Sequence, residues 1–134
     1  MQRVVPKLGQ LSLSNSALFI CDVQEIFRDL IHNMPSVVQG SNTMLRAAKE
    51  LNLPTIVTTQ YAARFGATMA GVGLEEAMTD QMDIEVFDKT KFSMLTPPVI
   101  EKLEKIQQAS VILCGIEVGW ALQQDVQCHL RRLL

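Results

Sequence analysis

Cysteine, excess charge and long apolar runs are all scarce in this chain. Only three of its 134 residues are cysteine, an odd number that suits reduced thiols better than a disulfide framework. No C-x-x-C pair is present, which argues against the common zinc motifs. The formal net charge is −2, so nothing favours binding to nucleic acid or to a membrane surface.

The longest apolar runs have the length of a strand and fall far short of the ~20 residues of a membrane span. The N-terminal residues carry Arg3 and Lys7 but no apolar segment, so we expect no secretory signal. They also lack the arginine-rich pattern of a transit peptide. We therefore expect a cytoplasmic protein, and a mitochondrial location stays open.

Strand-like and helix-like segments alternate along the chain. Hydrophobic residues make up 48%, enough for one domain with one core over residues 1–134. The alternation predicts an α/β fold, a three-layer doubly wound and mostly parallel sheet. Strands are expected near 17–21, 55–59, 83–87 and 110–114, and helices near 35–51, 74–78, 97–108 and from 117 to the end.

Polar residues at the carboxyl ends of these strands are the first candidates for function, because parallel sheets bind ligands at that edge. Asp22 follows the first strand, the Asp88-Lys89 pair follows the third, and a turn over 115–121 follows the fourth. A carboxylate, a lysine and a helix N-terminus together can activate a thiol. Two plainer readings stay open: Asp22 caps the segment over 24–27, and Lys89 and Lys91 are ordinary solvated charges.

Four segments in this order match a known family. They are Leu18-Phe19-Ile20-Cys21-Asp22-Val23-Gln24, Thr59-Gln60-Tyr61, Lys89-Thr90-Lys91-Phe92-Ser93-Met94 and Leu113-Cys114-Gly115-Ile116-Glu117. Over about 11–126 the chain resembles the isochorismatase-like cysteine hydrolases, especially the small eukaryotic isochorismatase domain-containing proteins. The resemblance implies their α/β fold and an Asp-Lys-Cys catalytic triad.

Carried over by this resemblance, the catalytic Asp is Asp22 and the catalytic Lys is Lys89. The nucleophilic Cys lies four residues beyond Glu117 in the family pattern, and that position is Ala121. The family's oxyanion hole, which includes a cis peptide, corresponds to Ile116, Glu117 and Val118. Aromatic and polar residues nearby are candidates for lining a small pocket: Gln24, Phe27, Tyr61, Phe92 and Trp120.

Two departures from the family pattern shape the functional prediction. A methyl group cannot attack a carbonyl, so Ala121 removes the covalent route. The family also continues with further strands and helices, and we expect this chain to lack them. If so, the fourth strand is an exposed edge, which favours a homo-oligomer, a partner subunit that covers it, or a chain that represents only part of a gene product.

Three functions follow from these features. The first is a catalytically inactive isochorismatase-like protein that serves as a binding or structural subunit, with a small molecule as its ligand. The second is an active cysteine hydrolase of small amides or vinyl ethers whose native nucleophile is altered in this chain. The third is an α/β interaction module without a pocket. The metal-binding relatives carry D-x-H where this chain has 59–61, so neither a metal nor another cofactor is expected.

Overall fold

The central strand of the sheet is the continuous apolar segment Ser16–Cys21, in which all six residues are buried. The computed structural model describes residues 11–108 and 110–116. Its sheet has the order β3-β2-β1-β4, and every pairing is parallel. The strands are β1 (Ser16–Cys21), β2 (Thr55–Gln60), β3 (Ile84–Lys89) and β4 (Ser110–Gly115).

Helices connect the strands, as parallel pairing requires. Proline lies in the first turn of the two longest, where its missing N–H has no intrahelical partner to lose. They are α1 (Met34–Glu50), α2 (Ala62–Phe65), α3 (Leu74–Thr79) and α4 (Pro97–Ile106), with 3₁₀ turns at Glu25–Phe27 and Ala70–Val72. In the described ranges, none of the helices has both the length and the apolar character needed to cross a membrane.

Alternate residues of β1 serve two separate cores. Leu18 and Ile20 pack against Leu45 of α1 on one face of the sheet. Ala17 and Phe19 pack with Val99 of α4 on the other. Helix, sheet and helix therefore form three layers, and the predicted α/β doubly wound fold is confirmed.

The predicted bounds differ from the observed ones mainly at strand ends. β3 runs to Lys89, two residues past the predicted limit, so this lysine is the last residue of the strand and does not follow it. β2 likewise includes Gln60. The predicted helix from residue 117 onward lies outside the described residues.

The order of the strands reverses at β1: β2 and β3 are added on one side of it, and β4 is added on the other. Right-handed crossovers to the two sides use opposite faces of the sheet, so the carboxyl ends of β1 and β4 border a crevice. Gly115 closes this end of β4 at φ 120°, and the next residue, Ile116, donates its N–H to the Cys21 carbonyl over 3.0 Å.

Gly115 is the position where this crevice tolerates no side chain. A Cβ there would lie 2.2 Å from the Cys21 carbonyl oxygen, and the backbone has a conformation that side-chain-bearing residues rarely adopt. We expect Gly115→Ala to lower the free energy of unfolding by about 3 kcal/mol or more, measured by urea denaturation.

Gly40 provides the matched control, because it lies inside α1 and a Cβ there meets nothing within 4 Å. Gly40→Ala should be neutral or stabilising by up to about 1 kcal/mol, since alanine favours the helix. Equal effects of the two substitutions would contradict the close approach of β4 to β1.

Candidate functional site

Asp22 and Lys89 meet at the carboxyl edge of the sheet. The Lys89 Nζ lies 2.8 Å from Asp22 Oδ2, and the two side chains are 0% and 11% exposed. β2 lies between their strands, and adjacent strands are about 4.8 Å apart, so the lysine side chain crosses the end of β2 to reach the carboxylate. The pair that the sequence predicted is therefore brought together by the topology of the sheet.

Asp22 is held by its own backbone and by β2. Its φ of 53° places it in the left-handed region directly after β1, and its N–H donates to the Thr58 carbonyl over 3.1 Å. The Thr58 hydroxyl donates to Asp22 Oδ1 over 2.8 Å. The alternative in which Asp22 caps the following segment is wrong, because the 3₁₀ turn Glu25–Phe27 has Gln24 at its cap position.

The remaining contacts of Lys89 separate it clearly from Lys91. Lys89 is buried, whereas Lys91 is exposed. The Lys89 ammonium also donates to Gln60 Oε1 at 2.8 Å and approaches the carbonyls of Lys91 at 3.1 Å and Phe92 at 3.3 Å. The interpretation of Lys89 as a solvated charge is therefore wrong. The same interpretation fits Lys91, which is exposed.

Gln24, a predicted pocket residue, is fully buried and holds backbone groups instead. Its Nε2 donates to the carbonyls of Gln60 at 3.0 Å and Gly66 at 2.7 Å. Its Oε1 accepts the N–H of Gln60 at 2.6 Å. The side chain thus joins the end of β2 to the segment after α2.

The predicted aromatic residues differ in exposure. Phe27 is partly buried against the core and lies 6.1 Å from Phe65, ring centre to ring centre. Tyr61 meets the same Phe65 edge-on and is 44% exposed, and Phe92 is 75% exposed. Tyr61 and Phe92 directly adjoin the Lys89 contacts, since Tyr61 follows Gln60 and the Phe92 carbonyl faces the ammonium.

Two polar residues of the site, Thr58 and Gln60, were not predicted as site residues. Both could have been found by applying the strand-end rule to β2, which runs from 55 to 60. Asp88, next to Lys89, was a candidate by its place at a strand end. Asp88 accepts hydrogen bonds from the Thr59 hydroxyl and the Ala62 N–H, at 2.8 and 2.9 Å. The Ala62 N–H first, and then the Thr59 hydroxyl, hold the pKa of the Asp88 carboxyl below its ordinary value. Asp88 thus fixes the turn that carries Tyr61.

The predicted oxyanion-hole segment is described only at its first residue. Ile116 is buried, and its N–H is already committed to the Cys21 carbonyl. The other two predicted residues, Glu117 and Val118, lie outside the described residues, as do Trp120 and Ala121.

The two cysteines in the described ranges are poor nucleophiles. Burial raises the pKa of the Cys21 thiol to about 12, and the negative charge of the neighbouring Asp22 adds to the rise. Burial also raises the pKa of Cys114. A thiol in this state is protonated at neutral pH, so neither sulfur offers a substitute for a missing nucleophile.

Two surface clefts of the described part lie away from the ion pair. One runs between α1 and α3, beside Arg46 and Glu76. The other runs between α1 and β4, beside Met44 and Cys114. Neither includes Asp22 or Lys89. Over residues 11–108 and 110–116, no group of three or more His, Cys, Asp or Glu side chains is arranged to hold a metal ion.

Fold and site together define an α/β domain with a buried acid–lysine pair at the switch point of its sheet. The chain belongs to the isochorismatase domain family, whose pattern matches residues 16–127. It is 50% identical over 113 residues to the secreted isochorismatase effector Isc1 of Phytophthora sojae, covering 83% of this chain and 53% of that protein. It is 41% identical over 112 residues to isochorismatase domain-containing protein 2 of Xenopus laevis, covering 83% and 51%.

A solved structure has the same fold. The MAR1 ribonuclease of Caenorhabditis elegans superimposes with a TM-score of 0.78 at 38% identity, covering 93% of this chain and 62% of that one. The chain spans about half the length of the curated relatives it matches.

Removing one partner of the buried ion pair should destabilise the fold strongly. Asn at position 22 keeps the acceptor for Thr58 and tolerates a positive φ, so Asp22→Asn removes little besides the charge. Because Lys89 would remain buried without its counter-ion, we expect a loss of about 3–5 kcal/mol in the free energy of unfolding. The measurement is chemical denaturation at pH 7.

Glu101→Gln is the control, since it breaks the Lys105–Glu101 pair, whose side chains are 70% and 67% exposed. Its cost should stay below about 0.5 kcal/mol. If the two substitutions cost the same, the Asp22–Lys89 contact is not the buried pair described above.

The raised thiol pKa predicts that Cys21 resists alkylation. Alkylating reagents attack the thiolate, which Cys21 does not form appreciably at pH 8 when its pKa is about 12. Treatment of the native protein with iodoacetamide, followed by peptide mass spectrometry, should leave Cys21 unmodified. The same reagent after unfolding in urea should modify it fully. Rapid modification of Cys21 in the native protein would show that this sulfur is available for chemistry.

Proposed function

We propose that this chain is an isochorismatase-fold protein that binds a small molecule without turning it over. Two features support the proposal: the buried Asp22–Lys89 pair at 2.8 Å, and the alanine at position 121. The observation that carries it is the pair itself. Two buried charges are costly to maintain, and the 11% exposure of the Asp22 side chain leaves its carboxylate within reach of a neighbouring group.

With a cysteine at position 121, the division of work would be simple. The Asp22 carboxylate would take the thiol proton, and the positive Lys89 would favour the thiolate over the thiol. The thiolate sulfur would then form a bond to the substrate carbonyl carbon, while the carbonyl π bond opens and its electron pair moves to the oxygen. Ala121 offers no atom for that bond, and loss of a nucleophile from such a unit removes most of the rate enhancement.

What remains is a binding site of limited polarity. Tyr61 and Phe92 supply exposed aromatic surface next to the pair. Asp22, at 11% side-chain exposure, supplies a hydrogen-bond acceptor. A small ligand with an apolar ring and a donor group fits this combination. Gln24 contributes by holding the surrounding backbone, and Phe27 by packing against Phe65 and the core.

An active hydrolase is the second candidate, in which the native nucleophile is a cysteine that this chain has lost. It is favoured by the intact pair and by the names of two relatives, an isochorismatase effector and a ribonuclease. Small amides and vinyl ethers are the substrate class we expect in that case. The two candidate functions differ in the residue that is native at position 121: alanine in the binding protein and cysteine in the hydrolase.

The oligomer prediction stays a proposal, and it rests on β4. This strand lies at one edge of the described sheet, and Val111 on it is 40% exposed. A second copy of the chain or a partner subunit would cover such an edge.

Restoring the sulfur tests the proposed function. The unaltered chain should bind isochorismate or a small aryl amide in calorimetry and return it chemically unchanged. Ala121→Cys should raise the hydrolysis rate by at least about 100-fold, because a nucleophile then completes the triad. Hydrolysis is followed by product chromatography.

Ala121→Cys combined with Asp22→Asn is the control, since it has the sulfur but lacks the base. It should return to the background rate while keeping a cooperative unfolding transition. Substrate turnover by the unaltered chain would contradict the proposal and favour the hydrolase. Equal rates for the single and double variants would show that Asp22 does not act as the base.

A further inference from the structure

Lys89 has more hydrogen-bond acceptors than it has protons. Its ammonium carries three N–H bonds, yet four oxygens lie within 3.3 Å, from Asp22, Gln60, Lys91 and Phe92. The side chain is 0% exposed, so no solvent replaces an acceptor that is lost. Its orientation is therefore decided by its protein partners.

Gln60 is the neutral partner at the shortest distance, 2.8 Å, equal to that of Asp22. The other two acceptors are backbone carbonyls of the segment after β3, and both are longer. No side-chain substitution removes those carbonyls directly. Gln60 is thus the one uncharged side chain in this shell that can hold the ammonium toward Asp22.

The amide of Gln60 can have only one orientation. Its Nε2 donates to the Thr90 carbonyl over 3.0 Å, which leaves Oε1 toward Lys89. Its backbone N–H and carbonyl are both engaged by the buried Gln24. The reversed amide would set an NH₂ group against an ammonium and an oxygen against a carbonyl, so both contacts would become repulsive.

We infer that Gln60 is the positioning residue of this site, whose amide locks Lys89 onto Asp22 and anchors the segment 90–93 that carries Phe92. It acts through Lys89 and need not touch a ligand. A consequence follows for the lysine. With its protons committed to protein oxygens, Lys89 serves as a fixed positive charge beside Asp22 and has no free N–H to give to a ligand.

The inference concerns the site of the proposed function, but its test needs neither ligand nor turnover. Lysine acylation of the native protein by a water-soluble succinimidyl ester, read at each lysine by mass spectrometry, reports how firmly Lys89 is held. In the unaltered chain we expect Lys89 to react at least about tenfold more slowly than the exposed Lys91, since its amine is buried and fully hydrogen-bonded.

Gln60→Met keeps the length of the side chain and removes both amide contacts. We expect the Lys89/Lys91 labelling ratio to rise at least fivefold, with Lys102 unchanged as an internal reference. Gln39→Met makes the same chemical change on the exposed surface of α1 and should leave every ratio as it was. No rise in Lys89 labelling in a folded Gln60→Met protein would overturn the inference.

Gln60→Glu separates the contact of residue 60 with Lys89 from its contact with the Thr90 carbonyl. It keeps an oxygen for Lys89 but loses the donor to Thr90, so Lys89 should stay protected as in the unaltered chain. It also decides the question if Gln60→Met does not fold. A Gln60→Glu protein with Lys89 freely acylated would overturn the inference, because the acceptor toward the ammonium would then be irrelevant. The result of the cysteine restoration bears on none of these ratios.

Discussion

A buried lysine and a buried carboxylate, 2.8 Å apart, are the interaction on which this end of the molecule depends. Neither charge could remain at this depth alone, because an isolated buried charge costs several kcal/mol after relaxation. The contact therefore requires β1 and β3 to stay in register across β2. Thr58 and Gln60, both on β2, complete the hydrogen bonding of the two charged groups.

The backbone at this edge is adapted to the same requirement. β1 is followed by Asp22 and β2 by Tyr61, and both residues have positive φ, which non-glycine residues seldom adopt. β4 ends in Gly115, where a side chain would strike the Cys21 carbonyl. Strain of this kind persists when surrounding contacts over-determine the conformation, and it concentrates at functional sites. Here the contacts are the ion pair, the hydrogen bonds from Gln24 to the backbone of Gln60 and Gly66, and the hydrogen bonds to Asp88.

The sequence was sufficient for the fold and for the two charged residues of the site. Continuous apolar runs, proline at helix starts and the order of the elements identified a parallel sheet, and Asp22 and Lys89 lay at the ends of its strands. The sequence could not exclude a helix cap for Asp22 or a solvated charge for Lys89, because each charge is buried only through its contact with the other. Lys89 and Lys91 are two residues apart and chemically identical in sequence, yet only the first crosses β2 to meet a counter-ion.

The polar residues of β2 show the limit of pattern reading. Thr58 belongs to a β-branched segment and Gln60 follows it, so the strand-end rule marks them only as candidates. Their role depends on Lys89 passing over them, which no spacing in the sequence encodes. Asp88 was a candidate by its place at a strand end, but its role in fixing a turn could not be predicted, since its partners, Thr59 and Ala62, come from the neighbouring strand and turn. The oxyanion-hole and nucleophile assignments beyond Ile116 rest on the family resemblance alone.

The central proposal is that the site belongs to a thiol-hydrolase scaffold in which alanine occupies the nucleophile position. The most direct measurement of that account is a crystal structure of the full chain at a resolution that fixes side-chain oxygens and nitrogens. The account predicts Lys89 Nζ within about 3 Å of both Asp22 Oδ2 and Gln60 Oε1, with residue 121 beside the carboxylate. A structure in which Asp22 and Lys89 point to opposite faces of the sheet, or in which residue 121 lies remote from both, would contradict it.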